Sequence, residues 1–166
     1  MKKIIGRFSV VIFWLGWPFF WLYLRNSSRA RILIVCGQRV LTVKGIFGGD
    51  KWLLPGGGMH RHESAQAAAC REGEEELGIK LPQDQLKLLS RERFSDQGIS
   101  YTEHYFLLRV DKEFDASMSF PEILDAAWTD YRTMNQVNSD KAAIRAIQLW
   151  QASPAFVTIT AESQRR

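Results

Sequence analysis

The chain has 166 residues, a net charge of +4 and 46% hydrophobic residues, enough for one domain with a sizeable core plus an extension. Its basic residues Lys2, Lys3, Arg7, Arg25, Arg29 and Arg31 crowd one end rather than lining a face, which argues for membrane flanks and against a nucleic-acid polymer as partner. Two cysteines, Cys36 and Cys70, without paired spacing, argue for buried free thiols and against a disulfide or zinc site, leaving oxygen ligands for any metal.

Residues 4–24 read IIGRFSVVIFWLGWPFFWLYL and carry no charge over the seventeen residues from Phe8. A spanning helix needs about 20 apolar residues, with roughly 17 the lower limit, so the run predicts an N-terminal hydrophobic helix retained as a membrane anchor. Trp14, Trp17, Trp21 and Tyr23 are spread through the run, and Pro18 after Gly16 would kink a helix, so a re-entrant or interfacial hairpin stays open beside the simple span. No small-residue cleavage site follows, which ranks a signal peptide behind the anchor; a buried core helix is the third alternative. Lys2, Lys3 and Arg7 before the run balance Arg25, Arg29 and Arg31 after it, so charge assigns no orientation.

Asn26, Ser27 and Ser28 read as a linker, which divides the chain into a hydrophobic segment 1–28, a folded domain 29–155 and a tail 156–166. In the domain, RILIVCGQRVLTVKG predicts a β-hairpin turning at Gly37-Gln38, and Trp52 to Leu54 a short strand stopped by Pro55. A helix is expected from Ser64 as N-cap to Leu77, with Gly78 as its stop. Strands follow at Gln85–Phe94 and Tyr101–Val110 around an Asp96-Gln97-Gly98 turn, then at Leu124–Tyr131. A last helix is capped at Asn138-Ser139-Asp140 and carries Ala143, Ile144, Ile147 and Trp150 on one face. Strands interleaved with two helices argue an α/β or α+β sandwich.

At about 100° per residue, Glu72, Glu75 and Glu76 fall on one face of the first helix, and Ala69, Gly73 and Leu77, joined by Cys70, form a separate core stripe. Three convergent carboxylates repel one another. Arg71 offsets part of that charge, and a hard divalent cation such as Mg²⁺ matches the remainder; a solvated acidic face is the plainer alternative. Pro55-Gly56-Gly57-Gly58 just ahead of the helix favours the site, because glycines let a ligand approach the main chain.

This stretch resembles the Nudix box, G-x5-E-x7-R-E-U-x-E-E-x-G-U with U a bulky apolar residue. It supplies Gly57, Glu63, Arg71, Glu72, Glu75, Glu76, Gly78 and Ile79 at the required positions over twenty-three residues, with Gly73 in place of the first U. Glycine in a helix interior costs about 1 kcal/mol relative to alanine, so either close packing compensates or the helix is weaker there. The resemblance extends more loosely over residues 31–150 and implies a Nudix-type α/β/α sandwich of mixed sheet and flanking helices.

It further implies an enzyme that cleaves a diphosphate linkage in a small-molecule nucleoside diphosphate derivative by water attack at phosphorus, with Mg²⁺, or Mn²⁺ as substitute. By the same resemblance Glu72, Glu75 and Glu76 are metal ligands, Glu72 also a candidate base, and the Gly57 carbonyl joins the coordination. Arg71 orients the carboxylates, Glu63 is an accessory ligand or partner of Arg71, and Glu122 is either an extra carboxylate, as base or ligand, or a solvated loop residue. With the anchor at residues 4–24, the expected location is the membrane, the catalytic domain in the cytoplasm. Two alternatives accompany this reading: a membrane-anchored hydrolase of a lipid-linked or activated-headgroup diphosphate, and a non-catalytic nucleotide-sensing module.

Among other polar and aromatic residues, His60 and His62 flank the entry to the helix, His104 begins a strand, and Phe47, Trp52 and Trp128 are as readily core as base-stacking. Substrate loops are expected at 45–50, 95–100 and 111–121, with no pattern that selects the group beyond the diphosphate.

Overall fold

The computed structural model describes residues 27–46, 49–96, 99–116 and 123–154. The predicted hairpin forms: β1 (Ser27–Cys36) turns at Gly37 and returns as β2 (Arg39–Gly45), with Val35 paired to Val40. β1 is longer than expected. Ser27 and Ser28, read as linker, and Arg29 and Arg31, read as membrane flank, are all strand residues paired in parallel with Tyr101, Thr102, Glu103 and Tyr105.

β3 (Lys87–Asp96) and β4 (Ile99–Arg109) form an antiparallel pair, and β5 (Ile123–Asp130) runs antiparallel to β2. The strand order β3-β4-β1-β2-β5 puts β1 at the centre of a mixed five-stranded sheet. A central strand is covered on both faces, and Ile32 to Val35 are accordingly all buried. The expected strand start at Gln85 is corrected, because Gln83–Gln85 close a 3-10 turn first. Tyr131 likewise leaves the last strand for a 3-10 turn, where the Asp130 carboxylate accepts the Arg132 N–H at 2.9 Å. Trp52 and Leu53 make isolated bridges to Ser139 and Val43 rather than a full strand.

Strand alternation sends Ala30, Ile32, Ile34, Leu41, Val43, Phe106 and Leu108 to one face and Leu33, Val35, Val40, Tyr105 and Leu107 to the other. Helix α1 (Ala65–Leu77) covers the first face with Ala68, Ala69 and Leu77. Helix α2 (Lys141–Gln151) covers the second with Ala142, Ala143, Ala146, Ile147 and Trp150, whereas Ile144, expected on that apolar face, is only partly buried. The result is an α/β/α sandwich. Both cysteines are free thiols as expected but half-buried, and burial pushes both thiols up from their ordinary range.

The expected membrane-associated location does not stand. Among the described residues no helix is long and apolar enough to cross a membrane. α1 and α2 have 13 and 11 residues, and at about 1.5 Å per residue both fall well short of a hydrocarbon core roughly 30 Å thick. The N-terminal hydrophobic helix expected at residues 4–24 lies outside the described residues.

Candidate active site

The glycine loop is hung on the central strand. Ile32 N–H donates to the Pro55 carbonyl at 2.9 Å, Ala30 N–H to the Gly57 carbonyl at 2.9 Å, and Met59 N–H to the Ser28 carbonyl at 2.8 Å. Gly56 lies between these rungs at φ 128°, and a Cβ there would fall 2.1 Å from the Ala30 carbonyl oxygen. Only glycine fits that combination of dihedral and contact.

At Gly57 the constraint comes from the other side. A Cβ there would sit 2.6 Å from the Glu72 carboxyl carbon, so the missing side chain leaves room for that carboxylate against the loop. Ser64 then caps α1 by accepting the Ala67 N–H at 3.1 Å, and Gly78 ends it in the left-handed conformation at φ 68°. Between these two ends α1 carries Glu72 on the side that faces Gly57.

Arg71 is the hub of the site. Its Nε donates to Glu63 Oε1 at 3.0 Å, and its Nη2 to Glu63 Oε2 at 3.2 Å and to the Gly58 carbonyl at 2.7 Å. Its Nη1 donates to Glu72 Oε1 at 2.8 Å and Glu75 Oε2 at 2.9 Å. These charge-assisted bonds hold the Glu63 carboxyl below its ordinary range, the hydrogen bond from Arg71 being the main cause, and push the Arg71 guanidinium further up. The His60 N–H adds a bond to Glu63 at 2.8 Å.

Glu76 turns elsewhere, its Oε2 accepting the Gly56 N–H at 2.7 Å. The helix therefore brings Glu72 and Glu75 to one guanidinium nitrogen and Glu76 to the loop backbone. Among the described residues no group of three or more His, Cys, Asp or Glu side chains is drawn together as a ready metal cage. Mg²⁺ does not need one: it binds through one or two carboxylates and keeps several waters. The donor set is all oxygen, and the Gly57 carbonyl, which accepts the Ala30 N–H, has a second lone pair to offer. The residues present fit a hard divalent ion.

The helix interior explains the odd glycine of the box. A Cβ at Gly73 would lie 2.4 Å from Leu81 Cδ1, so Leu81 fills the space that a larger residue would take, and close packing compensates for the helix propensity lost.

Other expected residues stand apart. His60 and His62 are exposed, and His62 has φ 65°, bending the chain into α1. His104 lies within β4 rather than at its start, with Nδ1 3.3 Å from the Arg29 carbonyl. Trp52 carries the Lys44 ammonium 4.7 Å from its ring centroid. Trp128 packs edge-on against Phe114 at 5.5 Å and donates its indole N–H to the Phe114 carbonyl at 2.9 Å, so its polar edge is already used. Phe47 and Glu122 lie outside the described residues.

Sequence reasoning missed a polar set behind the loop. Glu103 is 5% exposed and Tyr105 1%, with the Tyr105 hydroxyl donating to the Glu103 carboxylate and Arg31 Nε 3.8 Å from Glu103 Oε1. The signal was present as charged residues inside otherwise apolar strands, Arg31 before ILIV and Glu103 shortly before YFLL.

Residues 20–149 match the family model of the NUDIX domain, a span that begins inside the run read as an anchor. The structure is similar to a MutT NUDIX hydrolase from Burkholderia pseudomallei at 25% identity and TM-score 0.65, over 78% of this chain and 99% of that one. It is similar in fold to the E. coli dihydroneopterin triphosphate pyrophosphohydrolase, at 21% identity and TM-score 0.62 over 77% of this chain and 97% of that one. A C. elegans Ap4A hydrolase shares the fold at 18% identity and TM-score 0.63, over 80% of this chain and 98% of that one. Among curated proteins none matches the chain.

Proposed function

This chain belongs to the Nudix family and is a pyrophosphohydrolase, and from that premise we propose that it cleaves a diphosphate linkage in a small nucleoside diphosphate derivative with Mg²⁺, by attack of water at phosphorus. The observation that carries the proposal is the set of three glutamates on one helix, Glu72 and Glu76 meeting the glycine loop and Glu72 and Glu75 bonded to Arg71 at 2.8 and 2.9 Å.

In this reading the folded domain, expected at 29–155 and extended to Ser27 by β1, carries the activity. Glu72, Glu75, Glu76 and the Gly57 carbonyl hold the metal. When bound, Mg²⁺ supplies charge neutralisation at the diphosphate oxygens and an acidified water. Arg71 keeps Glu72 and Glu75 oriented, Glu63 fixes Arg71 in turn, and Glu72, which lies against Gly57 and is less exposed than Glu75, is the candidate base. Glu122 remains an accessory carboxylate in the proposal.

The sensing alternative gives way to the enzyme, and all three glutamates of the box are retained. The lipid-linked alternative rested on residues 4–24 alone and falls with the membrane location.

The test is a Mg²⁺-dependent phosphate-release screen of the full chain over nucleoside diphosphate derivatives, with Glu75→Gln and Glu76→Gln in parallel. Each variant is expected to lose about a hundredfold in turnover or more while its thermal transition is kept, since each removes a preorganised group that serves the developing charge. Wild-type turnover in both variants would show that this face is not the metal site.

A further inference from the structure

The polar set behind the glycine loop connects the two faces of the sheet. Alternation along β1 turns Arg31 to the side of Leu33 and Val35, the α2 face, away from the glutamates. A charged pair at that depth is costly unless its members are partnered. The Tyr105 hydroxyl donates to Glu103, and burial together with the neighbouring carboxylate pushes that hydroxyl far up, so it stays a donor. At 3.8 Å, Arg31 Nε balances the Glu103 charge but is too distant for a hydrogen bond.

The rest of the Arg31 fork points to the loop. Nη1 donates to the Gly56 carbonyl at 2.9 Å. The N–H of the same Gly56 holds Glu76 Oε2 at 2.7 Å. The peptide units on either side are already pinned to β1, through the Pro55 and Gly57 carbonyls. The unit between Gly56 and Gly57 joins two glycines, whose dihedrals are the softest in the chain, and Arg31 is the side chain that fixes it.

We infer that Arg31 is a positioning residue for Glu76 and the Gly57 carbonyl: anchored by the buried Glu103–Tyr105 pair, its guanidinium sets the Gly56–Gly57 peptide between them. The inference rests on the reading of Glu76 and Gly57 as metal ligands. Its consequence is that the site's affinity for a divalent ion depends on a cation that lies on the far face of the sheet from the glutamates.

Mn²⁺ binding to the full chain, read from the paramagnetic signal of the free ion, tests this without a substrate. Arg31→Met alone leaves Glu103 buried without its cation and risks the fold, so the informative variant is Arg31→Met with Glu103→Gln, which removes both charges together. This double variant is expected to keep its thermal transition and to bind Mn²⁺ about ten- to hundredfold more weakly, the range for losing a residue that orients metal ligands. Arg31→Lys, which restores one donor toward Gly56, is expected to recover part of the affinity. Wild-type Mn²⁺ affinity in the double variant, with affinity lost in Glu76→Gln, overturns the inference alone. Wild-type affinity in Glu76→Gln overturns the metal-site reading and the inference with it. A lowered thermal transition with unchanged Mn²⁺ affinity assigns Arg31 to structure only and also overturns it.

Discussion

Helices α1 and α2 lie on the same sheet and begin alike, Ser64 accepting the Ala67 N–H at 3.1 Å and Asp140 the Ala143 N–H at 2.7 Å. They differ in what they bury. α2 brings Trp150, fully buried and edge-on to Tyr131 at 5.2 Å, together with Ile147 and three alanines. α1 buries two alanines, Gly73 and Leu77, and turns charge toward the loop. Apolar area alone holds α1 weakly, and the bonds radiating from Arg71 tie its polar side to the glycine loop. The contrast teaches that this domain separates its tasks by face: one helix supplies stability through apolar burial, the other accepts a thin core contact in exchange for a face of carboxylates.

The division is easiest to break at Trp150. Trp150→Ala is expected to cost about 3–5 kcal/mol in chemical denaturation, with turnover per folded molecule unchanged. A large change in turnover at preserved stability would mean that α2 shapes the site directly. Gly73→Ala gains about 1 kcal/mol of helix propensity but forces a methyl to 2.4 Å from Leu81, and overpacking of that kind costs roughly 1–3 kcal/mol. A net loss of about 1 kcal/mol is expected; a stabilised variant would show that Leu81 moves aside freely and that α1 is not limited by this contact. The smallest effect sharpens the likeness between the helices. Ser64→Ala and Asp140→Ala should each cost about 1 kcal/mol by thermal denaturation, and a much larger loss of turnover in Ser64→Ala would reveal that its cap also sets the register of the glutamates.

Much of the candidate site was legible because its signals are local. The caps of α1, its 3.6-residue period and the box positions are all short-range features, and helix geometry converts them directly into a shared face. The limits of that reading are visible at particular residues. Arg29 and Arg31 read as the flank of an apolar run, yet both belong to β1, where Arg29 lies 5.3 Å from the Tyr101 ring centroid and Arg31 reaches Gly56. Counted along the chain they adjoin residues 4–24; in the fold they pair with β4, more than sixty positions away. Glu76 looked equivalent to Glu72 and Glu75 by spacing, and only the placement of the loop separates it, because the Gly56 N–H takes its carboxylate while Arg71 takes the other two.

The sequence by itself determined the hairpin, the two capped helices, the carboxylate face and the family, since each depends on residue spacings that backbone geometry translates without reference to distant parts of the chain. The tertiary structure decided the strand order with β4 beside β1, the packing of Leu81 into the space at Gly73, and the line from Tyr105 through Glu103 and Arg31 to Gly56. These depend on which strands become neighbours, and that choice rests on burying two apolar faces at once, a condition that no single stretch of sequence satisfies alone.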